Sequence, residues 1–163
     1  MPALVGCAGG GRASRREAVY PYRGPTTAFP PRGFIDGEVT MSTNAPYSIH
    51  LNPRFGPLEL VDVQALADAS TEPWYNQTLC RVNDCVVRLG VVEGEFHWHK
   101  HDKEDEFFYV VDGRFIIELD GRTVALRPRQ GFTVPKGIRH RTSAPQRTVI
   151  LMIEGAGVLP TGD

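Results

Sequence analysis

The chain is poor in several features that would place a protein early. It has 3 cysteines in 163 residues (Cys7, Cys80 and Cys85), an odd number at no metal-binding spacing. That argues against a disulfide framework and a zinc ribbon, and it fits a reducing cytoplasm. No apolar run approaches the roughly 18–20 residues of a membrane-crossing helix, so no membrane partner is expected. Neither sign of charge dominates, since 18 Lys and Arg oppose 19 Asp and Glu. A protein that worked by attracting phosphate backbones would carry a basic excess, so nucleic acid is not an expected partner. Helical pattern is scarce too: Val61 to Ala69 (VDVQALADA), about two turns, is the one candidate.

Glycine and proline are plentiful but uneven. Residues 1–40 hold 7 Gly and 5 Pro, whereas the following 123 residues hold 10 and 8. The early segment is broken too often to bury a continuous apolar face, so residues 1–45 are expected to be a disordered extension and 46–163 the folded domain. Three readings of the extension compete. Leu4-Val5-Gly6-Cys7 matches a lipoprotein cleavage box, but only six residues precede Cys7, too few for the apolar stretch such a signal needs. Five Arg against three acidic residues suit a targeting or interaction tail. Composition favours the third reading, translation starting at Met41.

From Met41 onward, short alternating runs dominate. Strands are expected at 76–79, 85–92, 95–101, 106–111, 114–119, 122–127, 132–134 and 147–153. Asp112-Gly113 and Asp120-Gly121 read as two-residue hairpin turns. Phe108, Val110, Phe115, Phe132 and Leu151 are candidate core or cavity walls, Trp98 a packing residue, and Cys80 and Cys85 small buried residues. Eight short antiparallel strands with almost no helix imply an all-β sandwich, jelly roll or small barrel.

Chemistry concentrates in residues 94–113, GEFHWHKHDKEDEFFYVVDG. Three of the chain's five histidines (His97, His99 and His101) alternate there, and on a strand all three project from one face. Asp102, Glu104, Asp105 and Glu106 follow at once. An exposed hairpin with incidental histidines is the bland alternative, but strict alternation beside a strand-leading Glu argues for imidazoles gathered around a divalent ion. Downstream stands Pro135-Lys136-Gly137-Ile138-Arg139-His140.

These segments resemble the two motifs of the cupin superfamily. The first motif has HxH, four residues, Glu, six residues and Gly, which His99, His101, Glu106 and Gly113 satisfy; the shifted register on His97 would need Gly where Val111 stands. The second, Pro-x-Gly-x-x-His, is matched in full by 135–140. Departures fall on turn and supporting positions: Gly94 lies one residue too close to His99, Arg129 replaces a Gly, and Ala144 replaces an Asn. From Phe55 to Asp163, with Glu72-Pro73-Trp74, Asn83-Asp84 and Thr161-Gly162-Asp163, the chain is similar to small single-domain bacterial cupins of the mannose-6-phosphate isomerase-like group.

The resemblance implies a single jelly-roll β-barrel with His99, His101, Glu106 and His140 as metal ligands. Three nitrogens and a carboxylate leave two octahedral positions for water or substrate oxygens, and Fe, Mn, Ni, Zn or Co all suit such a set. His97 stands where the group usually has an apolar residue; it is the candidate catalytic acid or base, with a supporting role or a place too far from the site as the other readings. Glu104 and Asp105 are solvated charges or orient histidine N–H groups. Arg139, Arg141 and Arg147 are either anion holders or surface residues. Gly90 and Gly94 are candidate bends. The expected function is a metal-dependent dioxygenase or isomerase/epimerase acting on a small oxygen-rich molecule. The alternative is a metallo-cupin that binds or senses a small ligand without turnover. A homodimer is expected through sheet extension, with 47–51 as the edge.

Overall fold

Strands of alternating burial make up most of residues 47–163, the part of the chain that the computed structural model describes. The expected extension at 1–45 and the start at Met41 lie outside these residues. In order come β1 (Ser48–His50), α1 (Val63–Ala69), β2 (Trp74–Val82), β3 (Cys85–Glu95), β4 (Glu106–Asp112), β5 (Phe115–Leu119), β6 (Arg122–Leu126), β7 (Gly131–Val134) and β8 (His140–Gly155). The helix starts two residues later than its apolar pattern, because Asp62 caps it by accepting from the Ala65 N–H at 3.0 Å.

The sheet runs β1-β2-β3-β8-β4-β7, with β5 joining β8 and β6 joining β5. β8 organises it. Its later half pairs β3 on one side and β4 on the other, while its first residues pair β5. The sequence marks only 147–153 as a strand, because HRTSAPQR has no apolar alternation and Pro145 cannot donate to a ladder. β1 lies at the end of the strand order, paired in parallel with β2, so the edge expected at 47–51 is there.

One hairpin expectation fails. Asp120-Gly121 does join the paired β5 and β6, but Asp112-Gly113 joins strands that do not pair: β4 goes to β7 and β8, and β5 to β6 and β8. Gly113 instead makes a corner at φ +87°, where a Cβ would lie 2.5 Å from Thr148 Oγ1 and 2.8 Å from Thr148 Cα. Local turn chemistry is the same for a hairpin and a corner, so only the distant partners distinguish them.

Both faces of the central strands are covered, which is why VVRLGVV reads as an apolar run rather than an alternation. On the inner face Trp74, Val92, Phe96, Phe108, Phe115, Ile117, Ile150 and Met152 form the larger core. On the outer face Leu79, Leu89, Val91 and Val149 pack beneath Ala67 of α1. Phe108, Val110 and Phe115 are buried as expected, whereas Phe132 and Leu151 are only half-buried. The cysteines depart from expectation: Cys80 is half-buried and Cys85 exposed, since the β2–β3 turn carries Cys85 to the sheet's end. No helix among the described residues is long and apolar enough to cross a membrane.

Candidate metal centre

The histidine segment does not continue β3. That strand ends at Glu95, after a register shift beside Gly94 (φ +96°) breaks its ladder with β8. The expected strand at 95–101 is therefore absent, and simple alternation does not set its side chains. Phe96 is buried, His97 exposed, His99 half-buried and His101 buried. His99 rejoins the sheet through a single bridge to His140, its N–H donating to the His140 carbonyl at 2.9 Å and its carbonyl accepting from the His140 N–H at 2.8 Å. That bridge sets the two imidazoles side by side, ring centres 4.3 Å apart.

The two motifs are tied by backbone. The Gly137 N–H donates to the His101 carbonyl at 2.7 Å, and the Lys136 N–H to Asp105 at 2.9 Å. Asp105 thus anchors the second motif's turn. Glu106 opens β4 opposite Val134, so the turn Pro135-Lys136-Gly137 carries the chain from beside Glu106 to His140. The chain's last residues lie over the same loop: Asp163 accepts from the Asp102 N–H at 2.7 Å, and its own N–H donates to the Lys100 carbonyl at 3.1 Å.

His99, His101, Glu106 and His140 come together, each offering one ligand atom, all within 4.8 Å of one another. The donor set fits a divalent cation. His99 and His140 each turn Nδ1 toward a backbone carbonyl, of His97 at 3.0 Å and Ile138 at 3.1 Å, which assigns the proton to Nδ1 and leaves the Nε2 lone pair free. His140 Nε2, both ring nitrogens of His101 and Glu106 Oε2 are buried with no hydrogen-bond partner. Glu106 Oε2 lies 3.4 Å from His101 Nε2 and 3.3 Å from His140 Nε2, close enough to attract but poorly placed for hydrogen bonds. Buried polar atoms left like this are costly unless something outside the protein satisfies them.

Electrostatics suit the same reading. Burial, reinforced by repulsion from His140, lowers the His99 imidazole to about 4, so it is a neutral ligand at pH 7. Burial alone would raise the Glu106 carboxyl, but attraction from His101 and His140 outweighs it and holds the group at about 2. Burial opposes a charge on His101, yet Glu106, with Glu154 and Asp163 further off, raises it.

His97 stands apart from the four. Its Nε2–H donates to the Thr161 carbonyl at 2.8 Å, its ring stacks on Phe96 at 4.3 Å, and its centre is 5.4 Å from that of His99. The arginines near His140 are otherwise engaged. Arg141 pairs with Glu118 and Glu95, Arg139 lies 4.8 Å over the Trp98 ring, and Arg147 donates to the Ala67 carbonyl at 2.6 Å. A small cavity of about 30 Å³ adjoins the cluster, with His99 and Glu106 in its wall and apolar side chains around most of the rest.

Sequence reasoning passed over two features. Arg88 is buried in the apolar run of β3 and donates to Glu154, to Thr78 Oγ1 at 2.8 Å and to the Val158 carbonyl at 3.0 Å. A charged residue inside VVRLGVV was the available signal. Asn76, in the cavity wall, had none.

An all-β rolled sheet with three imidazoles and a carboxylate gathered on its inner side defines a cupin-type protein. The comparisons agree. A family model described as Cupin domain matches residues 85–154. The chain is 37% identical over 97 residues to the uncharacterized protein YdbB of Bacillus subtilis, covering 59% of this chain and 86% of that one. It is 49% identical to the polyketide synthase CurC of Streptomyces cyaneus over 43 residues, 26% of this chain and 28% of that one. A cupin-2 domain containing protein from Shewanella frigidimarina, known from its crystal structure, superposes with a TM-score of 0.57 at 28% identity, covering 59% of this chain and 94% of that one. The chain belongs to the cupin family, as its motifs implied.

Proposed function

We infer that this cupin binds a divalent metal ion through His99, His101, Glu106 and His140 and acts with it on a small oxygen-rich molecule brought to the cluster, in a dioxygenase or isomerase/epimerase type of reaction. The observation that supports this best is the cluster itself, four ligand atoms within 4.8 Å of one another, with atoms of His101, Glu106 and His140 buried and without a hydrogen-bond partner in the protein. A bound ion would supply Lewis acidity toward a substrate oxygen. The protein's own part is to keep two histidines in the ligating tautomer, keep Glu106 ionised, and line the space beside the cluster with apolar side chains. His97, exposed and next to His99, is the group proposed to carry a proton to or from bound substrate.

Binding without turnover is the second reading. It is favoured by one observation: among the described residues lining the cavity, only His99 and Glu106 titrate, and both belong to the cluster. Metal analysis of protein purified without chelator, followed by oxygen uptake with catechol-like and sugar-phosphate substrates, separates the two. Bound iron with uptake supports oxygenase chemistry, and an inert metal-loaded site across the panel supports the binding role. A protein that takes up no metal sinks both. Assembly as a homodimer through the β1 edge goes with this proposal, and a monomeric mass by light scattering would reject it.

A further inference from the structure

Past Glu95 the histidine loop has left the β3–β8 ladder, and its backbone is held from two sides. One side is the start of β8 and the turn before it: the Phe96 N–H donates to Thr142, His99 and His140 exchange bonds, and the His101 carbonyl accepts from Gly137. The other side is residues 158–163. The Asp163 N–H donates to the Lys100 carbonyl at 3.1 Å, Asp163 Oδ2 accepts from the Asp102 N–H at 2.7 Å, and the Thr161 carbonyl accepts from the His97 ring at 2.8 Å. These bonds fall at 97, 100 and 102, bracketing the ligands His99 and His101.

Gly162 makes the closest approach. It sits at φ +89°, and a Cβ there would lie 2.6 Å from His99 Cβ and 3.2 Å from His99 Cδ2, so a glycine is what lets the segment lie flat on this imidazole. His99 is also the ligand with the least cover, half-buried where the other three are buried. The segment is itself anchored. Val158 is buried, its carbonyl accepts from Arg88 at 3.0 Å, and the Gly162 N–H donates to the Leu159 carbonyl at 2.9 Å, closing a turn. A ligating imidazole offers a directional lone pair, so groups that fix its orientation change metal affinity by about 10–100-fold.

We propose that residues 161–163 are a strap that positions His99 for the metal: Gly162 sets the imidazole by lying against it, and Asp163 holds the loop around the two ligands through its bonds to Lys100 and Asp102. Gly162 and Asp163 are positioning residues, acting on the ion through His99 and His101. The effect on metal rests on the reading of the cluster as a metal site; the hold of the strap on His99 does not.

The experiment compares the full chain with Gly162→Ala, Gly121→Ala, Asp163→Ala and Asp163→Asn. It measures zinc affinity by competition with a chromophoric chelator, the visible absorption of the cobalt-loaded protein, and the His99 ring resonances of the metal-free protein by NMR. Gly121 is the matched control, at φ +76° in the β5–β6 turn with nothing within 4 Å of an added Cβ, so its alanine variant carries the backbone penalty without the contact. Gly162→Ala is expected to weaken zinc at least tenfold and to shift the cobalt bands, whereas Gly121→Ala leaves both unchanged. Asp163→Ala is expected to weaken zinc about threefold or more, and Asp163→Asn, which keeps an acceptor for Asp102, to recover most of that loss. Asp163→Ala carries the test should Gly162→Ala not fold. Unchanged affinity and cobalt spectrum in Gly162→Ala overturn the strap, and an Asp163→Asn as weak as Asp163→Ala overturns the part given to the Asp163 hydrogen bond. If the wild type takes up no zinc, the metal reading fails alone. His99 resonances displaced in metal-free Gly162→Ala but not in Gly121→Ala would still support the strap, and resonances that stay in place would overturn it.

Discussion

Glu106 and Glu154 are direct partners across the β4–β8 ladder, both buried, at 5% and 3% exposure. Two carboxylates so placed repel, and the protein divides their environments. Glu106 faces the imidazoles and is held low, whereas burial and then repulsion from Glu106 push Glu154 up to about 8 despite its contact with Arg88. Arg88→Met removes the donor that holds Glu154 and leaves a buried acid without a partner. It is expected to cost about 3–5 kcal/mol, with much of that recovered in the Arg88→Met/Glu154→Leu double variant, as read by denaturant unfolding. A double variant no more stable than the single one would show that the pair is not an isolated unit.

Removing one ligand should empty the centre. His101→Ala and His140→Ala are expected to lose most bound metal in elemental analysis, while His97→Ala keeps a full complement, because His97 lies outside the cluster. Full occupancy in His101→Ala would disprove the ligand set. A fall in turnover in metal-replete His97→Ala, on a substrate once found, would support its role as proton carrier.

Gly113→Ala tests the corner between β4 and β5. Its φ of +87° disfavours an L side chain by about 1–2 kcal/mol, and the added methyl meets Thr148 within 3 Å. The expected result is a melting temperature lower by about 5 °C or more. An unchanged melting temperature would mean the corner relaxes freely.

The Glu118–Arg141 pair gives stability a pH dependence with a definite sign. Arg141 donates to Glu118 and lowers its carboxyl below the usual 4.5. A carboxyl depressed in the folded state stabilises fully above its unfolded value, and that contribution disappears as pH falls through the folded one. Glu118→Gln should therefore melt below the wild type at pH 7, and the gap should close as pH drops under about 4.5. A gap that is the same at pH 3 and pH 7 would mean the effect is not ionic.

The four residues of the centre were legible through two short motifs, HxH with Glu ahead of a strand and Pro-x-Gly-x-x-His, whose resemblance to the cupin pattern implied the set. The inference that all three histidines share a strand face was not sound. It assumed regular pleating across Gly94, where the positive φ and register shift end β3 and turn His97 outward. The Asp112-Gly113 reading failed for a related reason, since a tight turn does not specify which strands will pair.

By itself the sequence determined an all-β domain, the short helix near residue 65 and most strand positions, because periodicity, caps and turn residues act over a few positions, and its resemblance to the cupin motifs implied the residues of a metal-type cluster. Tertiary structure decided what depends on distant neighbours: the three-way pairing of β8, the bridge from His99 to His140, the burial of Arg88 against Glu154, and the cavity that leaves Asn76 without a partner. Hydrogen-bond partners and burial across a rolled sheet are set by chain segments dozens of residues apart, and no local pattern encodes them.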